Sequence, residues 1–173
     1  MATTFRERFL SNLRETNTEI TGRPKNVDIF TPSDFDEYVG QDNAKEIIKI
    51  IIDAAKIERR YLPSMMIDGP YGTGKTTLAR LALRAYNGQD AVLDAASVNR
   101  TLPTKGVVII DEIHNLSPDV ADSLNIILDQ GNLRIIGCTT NPGALPSAFR
   151  SRFRSIHRIW KVFPDRSLGS KIP

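Results

Sequence analysis

Gly69-Pro70-Tyr71-Gly72-Thr73-Gly74-Lys75-Thr76 is the stretch on which the reading of this chain turns. It follows a short apolar run, Met65 to Asp68, and leads into Lys75 to Tyr86, whose spacing predicts a helix stopped by Asn87 and Gly88. Set between a strand and a helix, the pattern G-x-x-x-x-G-K-[ST] is a loop suited to holding phosphates. Gly69, Gly72 and Gly74 let the backbone turn tightly enough to aim several N–H groups at one anion, and the helix N-terminus adds its partial positive charge. Lys75 then reaches the β- and γ-phosphates, and the Thr76 hydroxyl holds Mg²⁺. A glycine-rich turn without a ligand is the alternative, and the strand and helix flanks argue against it.

Outward from the loop, strands and helices alternate. Ala44, Ile47, Ile48, Ile51 and Ala55 recur at helical spacing, which predicts a helix from Gln41 to near Arg60, before Pro63. Downstream, Ala91 to Leu93 is a weak strand, and Val107 to Ile110 is four consecutive β-branched residues, a pattern suited to a strand covered on both faces. The next helix has Ser117 as N-cap and Pro118 in its first turn. Val120, Ala121, Leu124, Ile127 and Leu128 point inward, and Gly131 is the stop. Leu133 to Cys138 is a further strand, and Ser155 to Phe163 another. The expected fold is α/β, a P-loop NTPase with a mainly parallel sheet of about five strands flanked by helices. The expected organisation is an N-terminal helix (Phe5 to Glu15) and linker over 1–33, a core over 34–163 and a tail over 164–173.

Three further groups fall where the chemistry needs them. Asp111 and Glu112 end the Val107 strand, and ligands of open α/β sheets sit at the carboxyl ends of strands. Asp111 there serves the Mg²⁺ shell and Glu112 polarises the attacking water; two acids merely capping a strand is the commoner reading in isolation. Cys138-Thr139-Thr140-Asn141 leaves the Leu133 strand at the same edge, with polar groups able to bond the water or the γ-phosphate, unless it is an ordinary exit before Pro142. Arg150 and Arg152 follow Pro146, as phosphate-stabilising arginines or as plain surface cations. His114 and His157 have no companion ligands, so a metal other than magnesium is not expected.

Composition sets outer bounds. With 173 residues, 40% hydrophobic and 25% charged, the chain fits one globular domain rather than a disordered or repetitive one. The single cysteine, Cys138, cannot pair within the chain, and Met1 to Leu10 has no long apolar run, so a reducing, cytoplasmic setting is expected. No apolar stretch approaches the ~18 residues of a membrane span. The net charge of +3 is uneven: residues 1–147 carry 16 basic and 19 acidic side chains, whereas 148–173 carry seven basic residues against Asp165 alone. That basic end suits an acidic neighbouring subunit somewhat better than direct contact with nucleic acid.

Together these motifs resemble the AAA+ ATPases, and within them the RuvB family of Holliday-junction branch-migration helicases. Phe35 to Gln41 is similar to the adenine-wrapping segment and Gly69 to Thr77 to Walker A. Asp111-Glu112-Ile113-His114 resembles Walker B, Gly137 to Asn141 sensor 1, and Phe149 to Phe153 the arginine-finger box. The resemblance implies ATP and Mg²⁺ as ligands, Val39 and Gly40 as adenine contacts, and Gly72 to Thr77, Thr73 and Thr77 included, as the phosphate cradle. It makes Asp111 the magnesium acid, Glu112 the base, Thr140 or Asn141 the sensor, and Arg152, in preference to Arg150, the finger. Such a finger enters the site of the next subunit, so a homo-oligomer is implied, a hexameric ring in the usual case, or pairing with an AAA+ partner chain.

Departures from the family pattern shape the expected function. Only Asp129 to Asn132 lies between Leu128 and Leu133, where RuvB carries an insertion, and Leu93 to Val107 leaves little room for the usual second helix. The sequence ends about 20 residues past Arg152, without the family's helical lid or winged-helix domain. The expected activity is ATP hydrolysis in an oligomer serving DNA recombination, repair or replication, with DNA met directly or through a partner and no translocation by this chain alone. The alternatives are a clamp-loader-like assembly subunit that supplies Arg152 to a partner with little hydrolysis of its own, and a truncated product of a longer gene.

Overall fold

In the computed structural model the described residues are 32–87, 92–101, 103–156 and 159. The helix expected at Phe5 to Glu15, nearly all of the linker and the tail from 164 lie outside them, as does most of the strand expected to reach Phe163.

Among the described residues five strands form one sheet: β1 Met65–Asp68, β2 Val92–Asp94, β3 Gly106–Asp111, β4 Leu133–Thr139 and β5 Arg154–Ile156. Their order across the sheet is β2-β3-β4-β1-β5, and all four pairings are parallel. The β-branched run Val107 to Ile110 is buried throughout, as expected of a strand covered on both faces. Ile109 and Ile110 are fully inaccessible, so Ile109→Ala should cost about 2–5 kcal/mol.

The helices are α1 Asp42–Ile57, α2 Lys75–Asn87, the single turn α3 Ala95–Val98, α4 Pro118–Asp129 and the short α5 Ser147–Arg150. Parallel crossovers are right-handed. The β1–α2–β2 connection runs one way along the sheet, whereas β3–α4–β4 and β4–α5–β5 run the other, so α2 lies on one face and α4 and α5 on the opposite face. The contacts agree, with α1 packed on α2, and α4 on β4 and α5. Because helices leave β1 and β4 toward opposite faces, a crevice opens at the carboxyl ends of these neighbours.

Some local expectations shift. Helix α1 stops at Ile57 rather than Arg60, and Arg59 takes a left-handed φ of 50° on the way to β1. Ser117 occupies the N-cap position of α4, but its side chain makes no capping bond; its backbone N–H instead donates to Asn99 Oδ1 at 3.2 Å. Ala121, Leu124 and Leu128 form the buried stripe of α4, while Val120 and Ile127 are half-buried at its margins. Among the described residues between β2 and β3 the one helical element is the turn α3, capped by Asp94 through Ser97 N–H at 2.7 Å. That bond holds the Asp94 carboxyl below its ordinary range.

Candidate nucleotide site

The crevice is floored by the loop between β1 and α2. Gly72 and Gly74 have φ of 74° and 86°, and a Cβ on Gly74 would lie 2.7 Å from the Tyr38 hydroxyl. At Gly74 backbone and space both disfavour a side chain, whereas at Gly72 the backbone conformation alone does. Tyr38 donates to the carbonyls of Thr73 at 3.1 Å and Gly74 at 3.4 Å, tying the segment before α1 to the loop. Burial pushes its phenol up to about 12. Lys45 Nζ in turn donates to the Tyr38 carbonyl at 3.0 Å.

Lys75 opens α2 and is only 5% exposed. Its ammonium lies back over the loop, donating to the Gly69 carbonyl at 3.1 Å and that of Pro70 at 3.0 Å. Thr73 Oγ1 also donates to Pro70 at 2.9 Å. A buried ammonium satisfied only by neutral carbonyls remains a strong partner for a phosphate oxygen. Thr76, one position on, donates from Oγ1 to Asp111 Oδ2 at 2.9 Å. A hydroxyl and a carboxylate, both hard oxygens, thus meet beside the loop, a donor set that fits Mg²⁺. Thr77 is half-buried in the same helical turn.

At the end of β3 the chain turns through Glu112 in the left-handed region, with φ 47° and ψ 46°. Its N–H donates to Asp111 Oδ1 at 3.1 Å. The turn sends the two carboxylates apart, Asp111 to Thr76 and Glu112 to His114, whose Nδ1 is 3.2 Å from Glu112 Oε2. Nδ1 is also 3.1 Å from Thr139 Oγ1, so an ionised Glu112 is served only when Nδ1 carries the proton. Thr140 Oγ1 donates to Glu112 Oε2 at 3.4 Å, and the Asn141 N–H donates to Thr139 Oγ1 at 3.0 Å.

The loop and Asp111 therefore meet through Thr76, and Glu112 pairs with Thr140 at the adjoining ends of β3 and β4, whereas Arg150 and Arg152 stand apart. Val39 and Gly40 directly follow Tyr38, which bonds the loop; Val39 is 76% exposed, and Gly40 has φ 77° at the entry to α1. Arg152 lies at the opposite edge of the sheet, because Arg154 of β5 pairs with Met65, the first residue of β1, and the loop follows the last. Its guanidinium grips Asp129, with Nε 3.0 Å from Oδ1 and Nη2 2.7 Å from Oδ2. Arg150 turns elsewhere, donating to the Pro142 carbonyl at 3.2 Å. Cys138 is fully buried and its thiol is pushed up by that burial, away from reactivity. Tyr38 and Thr139 lie within stretches that the sequence singles out, Phe35 to Gln41 and Cys138 to Asn141, but nothing there marks their bonds to the loop and to His114. The spacing of the sequence gives His114 no companion ligand and does not announce its contact with Glu112.

Strand, glycine loop, buried lysine and the Thr76–Asp111 pair define a P-loop nucleotide-binding domain. Residues 30–159 match the family model of the Holliday junction DNA helicase RuvB P-loop domain. The chain belongs to that family. Among solved structures, the Thermotoga maritima RuvB Holliday junction branch migration motor is similar at 30% identity and a TM-score of 0.65. It is covered over 48% of its length by 75% of this chain. Two point mutants of the same Thermotoga protein are similar at 29% identity, with TM-scores of 0.68 and 0.67. They are matched over 75% and 73% of this chain and 48% of theirs, so the chain spans about half the length of these relatives. No helix among the described residues is long and apolar enough to cross a membrane.

Proposed function

We propose that residues 34–163 are an AAA+ ATPase core that binds Mg·ATP at Gly69 to Thr77 and hydrolyses it when copies of the chain associate. The observation that carries this reading is the convergence of Lys75, Thr76, Asp111 and Glu112 at the carboxyl ends of β1 and β3. In this reading Lys75 leaves the loop carbonyls for the β- and γ-phosphates. Thr76 and Asp111 hold Mg²⁺, which when bound offsets charge on the phosphate oxygens. Glu112 accepts the proton of the attacking water, Thr140 or Asn141 orients that water, and Val39 and Gly40 border the adenine.

Arg152 supplies charge to the γ-phosphate of a neighbouring copy. Its place supports action in trans: Arg134 to Thr139 of β4 spans about 16 Å between the two edges, more than one arginine can bridge. A ring, of six in the family pattern, follows. The similarity to a branch-migration motor supports a role in DNA recombination, repair or replication, in the cytoplasm, with DNA met directly or through a partner. Presentation of Arg152 away from its own loop equally suits an assembly subunit that serves an AAA+ partner and turns over little ATP itself. Steady-state hydrolysis across protein concentration, with and without branched DNA and with Glu112→Gln as control, separates the two. Turnover rising faster than linearly and vanishing in Glu112→Gln supports the first; binding without turnover supports the second.

A further inference from the structure

Arg59, Arg60, Arg134, Arg152 and Arg154 line a cleft of about 800 Å³ at the amino edge of the sheet, together with Asp129. Arg60 pairs with Glu58, and Arg134 donates to its neighbour Leu133 at 2.8 Å. Arg59 and Arg154 make no ion pair among the described residues. Arg152 alone is engaged as a fork: its two bonds to Asp129 are joined by a third, from Nη1 to the Ala148 carbonyl at 2.7 Å. Arginine grips two oxygens of a phosphate with this same planar fork, so the Asp129 carboxylate stands where a phosphate would.

Two features make Asp129 a displaceable occupant. It is the last residue of α4, where the helix dipole opposes a negative charge, so it depends on Arg152 rather than on its own helix. The side chains of Arg152 and Asp129 are also 30% and 62% exposed, and exposed ion pairs yield readily to competing ions.

We propose that Asp129 is an internal competitor at this fork: in the free chain its carboxylate holds the arginine cleft, and the phosphate that Arg152 meets under the nucleotide reading above, carried by a second copy, must displace it. The identity of that phosphate rests on the nucleotide reading; the competition does not.

The test is calorimetric titration of inorganic tripolyphosphate into Lys75→Ala protein, in which binding at the glycine loop is weakened. Binding is expected to persist, to tighten about fivefold on adding Asp129→Asn, and to fall about tenfold on adding Arg152→Ala. Asp129→Glu keeps the charge and is expected to tighten nothing, and Arg152→Lys, without the fork, to bind more weakly than arginine. Unchanged or weaker binding in Asp129→Asn overturns the competitor, and unchanged binding in Arg152→Ala overturns the site. Should Asp129→Asn fail to fold, the Arg152→Lys comparison decides on the fork alone.

The second copy is tested in the otherwise unsubstituted chain, where Asp129→Asn should lower the protein concentration for half-maximal ATP turnover about threefold. An unchanged or raised midpoint overturns that occupant. ATP binding by the unsubstituted chain, measured alongside, keeps the two readings apart: its failure with an intact tripolyphosphate response sinks the nucleotide assignment and leaves the cleft standing.

Discussion

The Thr76 hydroxyl donates to Asp111 Oδ2 at 2.9 Å, joining the first turn of α2 to the end of a central strand. The partners are 35 residues apart in sequence, and their meeting follows from β3 and β1 lying on either side of β4. If the pair is a magnesium site, Asp111→Asn keeps the shape but loses the charge. Added Mg²⁺ should then improve ATP affinity about tenfold less than in the unsubstituted chain, with little change in chelator. An undiminished magnesium effect would remove Asp111 from the site.

Lys75→Ala should weaken ATP binding roughly 10- to 100-fold, the value of one or two charge-assisted bonds. Its ammonium is held only by the Gly69 and Pro70 carbonyls, which it can exchange for phosphate. Equal affinities on titration would count against the loop as the nucleotide site.

Glu112→Gln should leave ATP binding intact while lowering turnover on the order of 10²-fold or more. His114→Ala withdraws the Nδ1 contact at 3.2 Å and should lower turnover by a smaller factor, again with binding preserved. A His114→Ala rate equal to that of the unsubstituted chain would show that Glu112 needs no such support.

Tyr38→Phe removes the bonds to Thr73 and Gly74 and should cost about 1 kcal/mol near neutral pH. Its pH dependence has a definite sign. Burial raises the folded-state phenol to about 12, whereas the unfolded phenol ionises near its ordinary value of 10.0. The stability conferred by the neutral phenol is thus full below pH 10 and is lost as pH rises toward about 12. Denaturant melts of both proteins should show the tyrosine's advantage shrinking over that window; a constant difference would contradict the assignment.

Arg152→Ala should bind ATP normally and lose turnover, and mixing it with Lys75→Ala protein should restore part of the rate. Each variant then provides what the other lacks, an intact loop in one and an intact arginine in the other. Absence of rescue across mixing ratios would argue against action between subunits.

Much of the fold was legible because its signals are local. The β-branched run at Val107 and the apolar spacing of α1 and α4 report burial directly. The glycine loop reports a backbone conformation that few other residues adopt. Element ends were less legible. Ser117 looks like a cap, yet the Asn99 side chain takes its N–H from a turn 18 residues earlier in the chain. The arrest of α1 at Ile57 accompanies a left-handed Arg59, which no residue type there announces.

The sequence by itself determined the phosphate loop, the acids that face it and the parallel α/β plan, because each is written in contiguous residues whose spacing is their chemistry. Only the tertiary structure decided which distant groups meet. The order β2-β3-β4-β1-β5 brings Asp111 to Thr76, and the turn at Glu112 turns the second acid toward His114 and Thr140. The parallel register sends Arg152 to the far edge, where Asp129 holds it. The physical reason is that pairing across a sheet depends on packing summed over the whole core, and no short run of residues encodes that sum.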